Sequence, residues 1–259
     1  MSSASTAKQQ SKQERRDAAR EQARKLREAQ QRRNRRNRIL IITGVVAFVA
    51  VVVIAVVSIL TAANRSPLEG IDGEPAGATD NGGIVLGAEG VGSTNEGAPE
   101  VEVYLDYLCT HCWTFETTNA GVLDELATAG EATVTFHPVA FMSDASNFSQ
   151  RGAQALAVVA TAAPEQFSTF NEGLFSAQPE GGATVLSDEQ IAGVATEVGV
   201  PQNVIDSFAE GEFSEWVSAA TQQATKDGIG GTPTILIDGE EFTGWQTPGA
   251  LAEAVRAAA

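Results

Sequence analysis

Residues 101–112 read Val101-Glu102-Val103-Tyr104-Leu105-Asp106-Tyr107-Leu108-Cys109-Thr110-His111-Cys112. The apolar run at the start of this stretch predicts a buried β-strand, and the residues that follow it have helical spacing. Between strand and helix lies a Cys-x-x-Cys pair, which holds the only two cysteines of the 259-residue sequence. We therefore expect a rigid strand to deliver two thiols to the N-terminus of a helix.

The predicted position of this pair favours an ionised sulfur. Cys109 would lie just before the helix and Cys112 in its first turn, so free backbone N–H groups and the positive end of the helix dipole would face Cys109. His111 can carry a positive charge beside the same sulfur. Each effect lowers the pKa of a thiol below its usual ~8.5. We expect Cys109 to be the sulfur that a substrate thiolate attacks, and Cys112 to be the resolving sulfur.

Two other interpretations of the pair stay open. The cysteines could form a structural disulfide, although so small a ring constrains little of the unfolded chain. They could also bind a metal, but a metal site needs about four ligands. Only His111 and His137 remain as soft partners, and His111 is poorly placed to share an ion with its neighbours. We expect no metal site.

The charge is divided sharply along the chain. Residues 1–38 hold 13 of the 17 Lys and Arg residues and 4 of the 33 Asp and Glu residues, which leaves them at +9 and the rest of the chain at −25. Between the two parts, residues 39–63 carry no charge. A helix over these residues would be about 37 Å long, enough to cross the ~30 Å hydrocarbon core of a bilayer.

This charge division predicts a membrane protein with one transmembrane helix over 39–63. The basic tail over 1–38 would stay in the cytoplasm and the acidic part would be extracytoplasmic, where a disulfide can persist. We expect the tail to act as a topology signal on anionic lipid headgroups rather than to bind nucleic acid. Cleavage of the apolar segment as a signal peptide is the alternative.

The remaining residues predict an α/β domain behind a linker. Residues 64–82 are rich in Gly, Pro, Asp and Asn, which predicts a flexible linker, and residues 83–259 would form the domain. A short apolar patch at Ile84 predicts a small hairpin in front of it. The elements predicted after the patch are a strand over 100–107, a helix over 110–129, a strand over 131–141, an inserted helical region over about 145–227, two strands over 234–245 and a closing helix.

The motifs of residues 83–259 resemble the DsbA-like thiol:disulfide oxidoreductases of the thioredoxin superfamily. The sequence Asp-Tyr-Leu-Cys-Thr-His-Cys over 106–112 is similar to the family's Asp-Tyr-x-Cys-Pro-His-Cys, and Phe115 matches an aromatic residue three positions later. Residues 231–234, Gly-Thr-Pro-Thr, match a second signature of the family, Gly-(Thr/Val)-cisPro-Thr. The helical insertion between the second strand and that proline is typical of this group.

The resemblance implies a thioredoxin fold and a set of site residues. It implies a cis peptide before Pro233, with Thr232 pairing its backbone with the client chain. Asp106 matches an acid of the membrane-tethered relatives and is a candidate proton relay to Cys112. Two departures stand out: Thr110 replaces the family's proline, and Val103 stands where many relatives bury an acid.

From these residues and this resemblance we expect a disulfide oxidase for exported proteins. Its only redox group would be the Cys109–Cys112 disulfide, with no further cofactor, and a membrane reoxidase of the DsbB or vitamin-K-epoxide-reductase type would restore it. A reductase or isomerase on the same fold, and a client-binding domain whose thiols are incidental, are the alternatives.

Overall fold

The computed structural model describes residues 3–142 and 147–259, and the first two residues of the predicted insertion, 145 and 146, lie outside them. The described chain divides into two compact units, Met1–Arg65 and Ser66–Ala259. The helices are α1 (Ser3–Asn64), α2 (Thr110–Thr118), α3 (Val122–Thr128), α4 (Phe148–Ala162), α5 (Phe167–Ser176), α6 (Asp188–Glu197), α7 (Gln202–Asp206), α8 (Ser214–Lys226) and α9 (Ala250–Ala258). The strands are β1 (Ile84–Gly87), β2 (Gly90–Val91), β3 (Glu100–Leu105), β4 (Thr133–Pro138), β5 (Thr234–Ile237) and β6 (Glu240–Glu241), and 3₁₀ turns cover Pro164–Gln166 and Ser207–Glu210.

The first unit is the single long helix α1. Its stretch Arg20–Ser58 is the one helical segment among the described residues that is long and apolar enough to cross a membrane, and no part of its most apolar window is buried. This is compatible with a single-pass membrane anchor, because exposed Val, Ile and Phe side chains over more than four helical turns need an apolar environment.

The second unit is built on one six-stranded sheet with the order β2-β1-β4-β3-β5-β6. The central pair β3 and β4 is parallel and every other pair is antiparallel. The helical insertion lies between β4 and β5 in the sequence. It does not interrupt the sheet, because β3 pairs with both of these strands. The architecture is a thioredoxin fold with an inserted helical subdomain, as predicted.

The predicted flexible linker over 64–82 requires a correction. Leu68 is buried, the hydroxyl of Ser66 donates to Gln223 at 2.9 Å, and the backbone N–H of Ala76 donates to Thr161 at 2.9 Å. From Ser66 onward this segment therefore packs on the domain. The composition suggested a free chain because the two large apolar residues, Leu68 and Ile71, give little sequence signal among the Gly, Pro, Asp and Asn residues of this segment.

The predicted helix over 110–129 is two helices in the structure. The chain turns between α2 and α3 at Gly121, which has a φ of +72°. A left-handed backbone ends helical hydrogen bonding and is easily adopted only by glycine. The break lets α2 carry the cysteines while α3 packs on β4.

The helical insertion packs against the cysteine loop, residues 106–109 between β3 and α2. The ring of Tyr107 lies so close to α4 that a Cβ at Gly152 would stand 2.8 Å from it. Tyr107 is also in ring contact with Phe175 of α5, at 4.9 Å between centroids. A glycine is therefore required at position 152 to let the insertion and the strand end approach each other.

Candidate active site

Cys109 lies at the junction between strand and helix. β3 ends at Leu105 and α2 begins at Thr110, so Cys109 is the N-cap residue, with an extended backbone at φ −84° and ψ 120°. Its carbonyl accepts the first helical hydrogen bond, from the N–H of Trp113 at 3.0 Å. The sulfur therefore sits at the end of the helix where backbone N–H groups are unpaired.

The surroundings of Cys109 stabilise its thiolate. Its pKa falls from 9.0 to about 5, chiefly because the Cys112 thiol donates a hydrogen bond to it. Burial opposes this change, and the Thr232 side chain and the backbone N–H groups of Cys112 and His111 reinforce it. In its protonated form the sulfur instead donates to the Thr232 carbonyl at 3.3 Å. When the Cys109 thiol ionises, it therefore loses its hydrogen bond to the Thr232 carbonyl and its sulfur accepts from several donors instead.

Cys112 has the opposite character. It is fully buried, and burial followed by the neighbouring Cys109 sulfur raises its pKa well above 9.0. One backbone N–H, that of Asp106, reaches its sulfur at 3.5 Å. The pair therefore has one sulfur that leaves readily as an anion and one that is held as a thiol.

The predicted proline loop faces the reactive sulfur. The Thr232–Pro233 peptide is cis, and the hydroxyl of Thr234 closes the loop by donating to the Gly231 carbonyl at 2.9 Å. The structure thus brings together Cys109 and Thr232, which are separated by 123 positions in the sequence.

A cavity of about 610 Å³ opens beside Cys109. Thr110 and His111 are exposed at its edge, and the remaining wall includes Phe141, Met142 and Ile229 together with the loop 230–232. Its walls are mostly apolar, and among the described residues no acidic side chain lines it. The space is open to a polypeptide segment and leads directly to the nucleophilic sulfur.

Asp106, the candidate proton relay, is fully buried. Its carboxylate accepts from the N–H of Leu108 at 2.9 Å, the N–H of Met142 at 2.8 Å and the hydroxyl of Ser149 at 2.6 Å. Burial nevertheless raises its pKa above 3.8. The backbone of Asp106 contacts Cys112, while the contacts of its carboxylate are with three other segments of the chain.

Sequence reasoning missed a second buried acid, Glu116. It lies one turn after Cys112 on α2, and burial raises its pKa from 4.5 to about 8. Asn171 donates to it at 3.0 Å and accepts in turn from the hydroxyl of Tyr107 at 2.8 Å. Val103, where relatives place an acid, is fully buried and apolar here. A Glu in an amphipathic helix usually faces water, so no sequence signal marked this residue.

His137 is not part of the site. It is buried in β4, stacks on Tyr104 at 4.0 Å and contacts the Glu102 carboxylate at 3.1 Å. Burial lowers its pKa below 6.5. Within the described ranges 3–142 and 147–259, no group of three or more His, Cys, Asp or Glu side chains is arranged to hold a metal ion.

Comparison with known proteins agrees with this geometry. A family model described as thioredoxin matches residues 89–257, while no curated protein sequence matches. Among solved structures, the thiol-disulfide oxidoreductase MdbA of Actinomyces oris has a TM-score of 0.61 at 24% identity, over 76% of this chain and 97% of that one, and at this identity shows the fold alone.

Two Mycobacterium tuberculosis structures are more similar in sequence. The disulfide bond oxidoreductase DsbG, in its reduced form, is 28% identical with a TM-score of 0.57, over 68% of this chain and 86% of that one. Oxidised DsbA is 27% identical with a TM-score of 0.57, over 68% and 91%. The chain belongs to the thioredoxin family, as a thiol:disulfide oxidoreductase of the DsbA type.

Proposed function

We propose that this protein is an extracytoplasmic oxidase that introduces disulfides into exported proteins through the Cys109–Cys112 pair. The observation that carries the proposal is the unequal environment of the two sulfurs. A stabilised Cys109 thiolate favours the reduced pair, so the disulfide form gives up its bond readily to a substrate dithiol.

The proposed reaction has two exchange steps. A client thiolate attacks the Cys109 sulfur and forms a mixed disulfide with it. This attack breaks the Cys109–Cys112 bond and leaves the electron pair on the Cys112 sulfur, which then takes up a proton. A second client thiolate then attacks the client sulfur of the mixed disulfide and releases Cys109 as a thiolate. The client loses two electrons and the pair gains them.

The other predicted residues have roles around this reaction. Thr232 and Pro233 would align the client backbone at Cys109, since Thr232 lies in contact with that sulfur. Thr110 and His111, which separate the cysteines, would adjust how stable the thiolate is. In this proposal no further cofactor takes part, and a membrane reoxidase of the DsbB or vitamin-K-epoxide-reductase type accepts the electrons.

The proposed location follows from the charge division of the chain. The basic segment 1–38 would stay in the cytoplasm, residues 39–63 would span the membrane and the domain would lie outside. An accessible-cysteine assay on whole cells tests this orientation: an impermeant reductant first opens the Cys109–Cys112 disulfide, and an impermeant thiol reagent then labels Cys109. Labelling in intact cells supports the orientation, and labelling only after lysis contradicts it.

Matched cysteine variants test the chemistry. Cys109→Ser should abolish oxidation of a reduced client, while Cys112→Ser should accumulate mixed disulfides with clients, detected on non-reducing gels. Wild-type rates in Cys109→Ser would contradict the proposal. Full biological activity in the double variant would favour a client-binding domain with incidental thiols.

The direction of electron flow is tested by the reduction potential. A value well above the ~−270 mV of thioredoxin supports the oxidase, and a value near it supports the reductase or isomerase.

A further inference from the structure

Three segments that are distant in sequence meet at one carboxylate. Oδ1 of Asp106 accepts from the N–H of Leu108 in the cysteine loop and from the hydroxyl of Ser149 in the first turn of α4. Oδ2 accepts from the N–H of Met142, which follows β4. These contacts span 2, 43 and 36 positions respectively, so the carboxylate joins the cysteine loop, the cavity wall and the helical insertion.

Met142 is fixed at both of its backbone polar groups. Its N–H donates to Asp106 at 2.8 Å, and its carbonyl, at 3.0 Å from the Ser149 hydroxyl, shares the single proton of that hydroxyl with Oδ1 of Asp106. Its side chain is nevertheless 43% exposed and lines the cavity beside Cys109. An exposed methionine on a fixed backbone beside a reactive sulfur is suited to contact a partner chain, since methionine adapts its shape and is enriched at interfaces.

We propose that Asp106 is a positioning residue whose carboxylate fixes the backbone of Met142, and with it one wall of the client cavity, relative to the sulfur of Cys109. This inference rests on the proposed function, because it concerns how a client is held during attack on Cys109. It assigns to the buried acid a role in client alignment in place of proton transfer.

The position of Asp106 also has an electrostatic consequence. Burial is the main cause of its raised pKa, and the Cys109 thiolate raises it further. The interaction is mutual, so wherever both groups are ionised Asp106 disfavours the neighbouring thiolate. The hydrogen bonds of Asp106 therefore hold the cavity wall, its charge adds nothing to the stability of the thiolate, and removing that charge should not raise the pKa of Cys109.

The variant that separates the two properties is Asp106→Asn. An asparagine amide has one accepting oxygen, so its Nδ2 would face the backbone N–H of either Met142 or Leu108 and break that hydrogen bond. Its loss of charge leaves the Cys109 thiolate with one fewer repulsive neighbour. A Ser149→Ala variant breaks the contacts of Ser149 with Asp106 and Met142 but keeps the carboxylate.

The experiment compares two reduced substrates on the full-length chain in detergent micelles. One is a dicysteine peptide with leucines beside its cysteines, and the other is dithiothreitol, which is too small to use the wall. We expect the ratio of peptide kcat/KM to dithiothreitol rate to fall about five-fold in Asp106→Asn and in Ser149→Ala, mainly through the peptide KM. The thiolate absorbance of Cys109 should not titrate at higher pH in either variant, because neither substitution removes a group that donates to its sulfur.

Ser187→Ala is the matched control, because it removes the hydroxyl that caps α6, outside the cavity lining, and should leave the substrate ratio unchanged. An unchanged ratio in both test variants would overturn the inference. So would an upward shift of the Cys109 titration with equal losses on both substrates, since that pattern indicates general disruption. A wild-type protein that oxidises neither substrate would refute the proposed function itself, which keeps the two failures distinguishable.

Discussion

Two ionisable groups at opposite ends of α2 have little exposed surface, and their pKa values shift in opposite directions. Cys109 at the start and Glu116 near the end each retain 7% exposure. The pKa of Cys109 falls from 9.0 to about 5, whereas that of Glu116 rises from 4.5 to about 8. Burial alone therefore does not determine which form is stable.

The two groups differ in the number of hydrogen-bond donors that face them and in how deeply they are buried, since Cys109 lines the open cavity and Glu116 is enclosed by protein. Cys109 faces donors from Cys112, His111 and Thr232, because a helix N-terminus leaves its first N–H groups unpaired. Glu116 receives one hydrogen bond, from Asn171, and is repelled by Glu172. Donors that are fixed by the backbone can outweigh desolvation, and a single side-chain amide does not.

The largest expected effect concerns the Cys109 end. At pH 7 the reduced domain should melt roughly 5–10 °C above the oxidised one, because its thiolate is stabilised in the folded state and the disulfide ring constrains little. Folding lowers the pKa of Cys109 from 9.0 to about 5. The thiolate therefore adds its full contribution to the free energy of unfolding above pH 9, and this contribution is lost as the pH falls through 5. Melting both redox forms from pH 4 to 8 checks this, and a difference that does not change with pH would contradict it.

At the other end, Glu116→Gln should stabilise the protein at alkaline pH. Folding raises the pKa of the Glu116 carboxyl from 4.5 to about 8. The protonated carboxyl therefore adds its full contribution to the free energy of unfolding below pH 4.5, and this contribution is lost as the pH rises through 8. The amide does not titrate and can still accept from Asn171, so we expect a gain of about 2–3 kcal/mol at pH 8 and little change at pH 4.

Denaturant unfolding at the two pH values measures the effect of this substitution. Glu172→Gln is the control, since Glu172 is about half buried and its pKa is raised less strongly, and its gain should be smaller. A Glu116→Gln variant that is less stable than wild type at pH 8 would refute the explanation.

The smallest effect is expected at the residue that joins the two ends. Tyr107→Phe removes the hydroxyl that donates a hydrogen bond to Asn171. We expect the free energy of unfolding to fall by about 1–2 kcal/mol at both pH values. Tyr104→Phe is the control with a weaker contact, because its hydroxyl reaches Glu102 at 3.3 Å and is less buried. Equal losses in the two variants, measured by denaturant unfolding, would show that the hydrogen bond to Asn171 contributes little.

Much of the fold could be predicted where the signal is local. The strand that leads to the cysteines and the hairpin at Ile84 are both present. Each depends on residues within a few positions of one another, where steric and hydrogen-bonding preferences act directly. The break at Gly121 was missed because a glycine inside a helical pattern is compatible with either a continuous or an interrupted helix.

The candidate site could be predicted only in part. The two cysteines and the proline loop have recognisable motifs, whereas Met142, Ser149 and Glu116 have none. Their importance depends on where the chain returns in space, because they acquire their contacts from the fold and have ordinary residue types.

The sequence by itself determined the chemistry that is available: two thiols at the start of a helix, a cis-proline motif and an apolar segment between basic and acidic parts. Only the tertiary structure decided that Thr232 lies against the Cys109 sulfur, that a buried Glu116 holds its proton, and that Asp106 joins the cavity wall to the cysteine loop. The physical reason is that desolvation and hydrogen bonding are set by neighbours in space, and here the neighbours of the site lie up to 123 positions away along the chain.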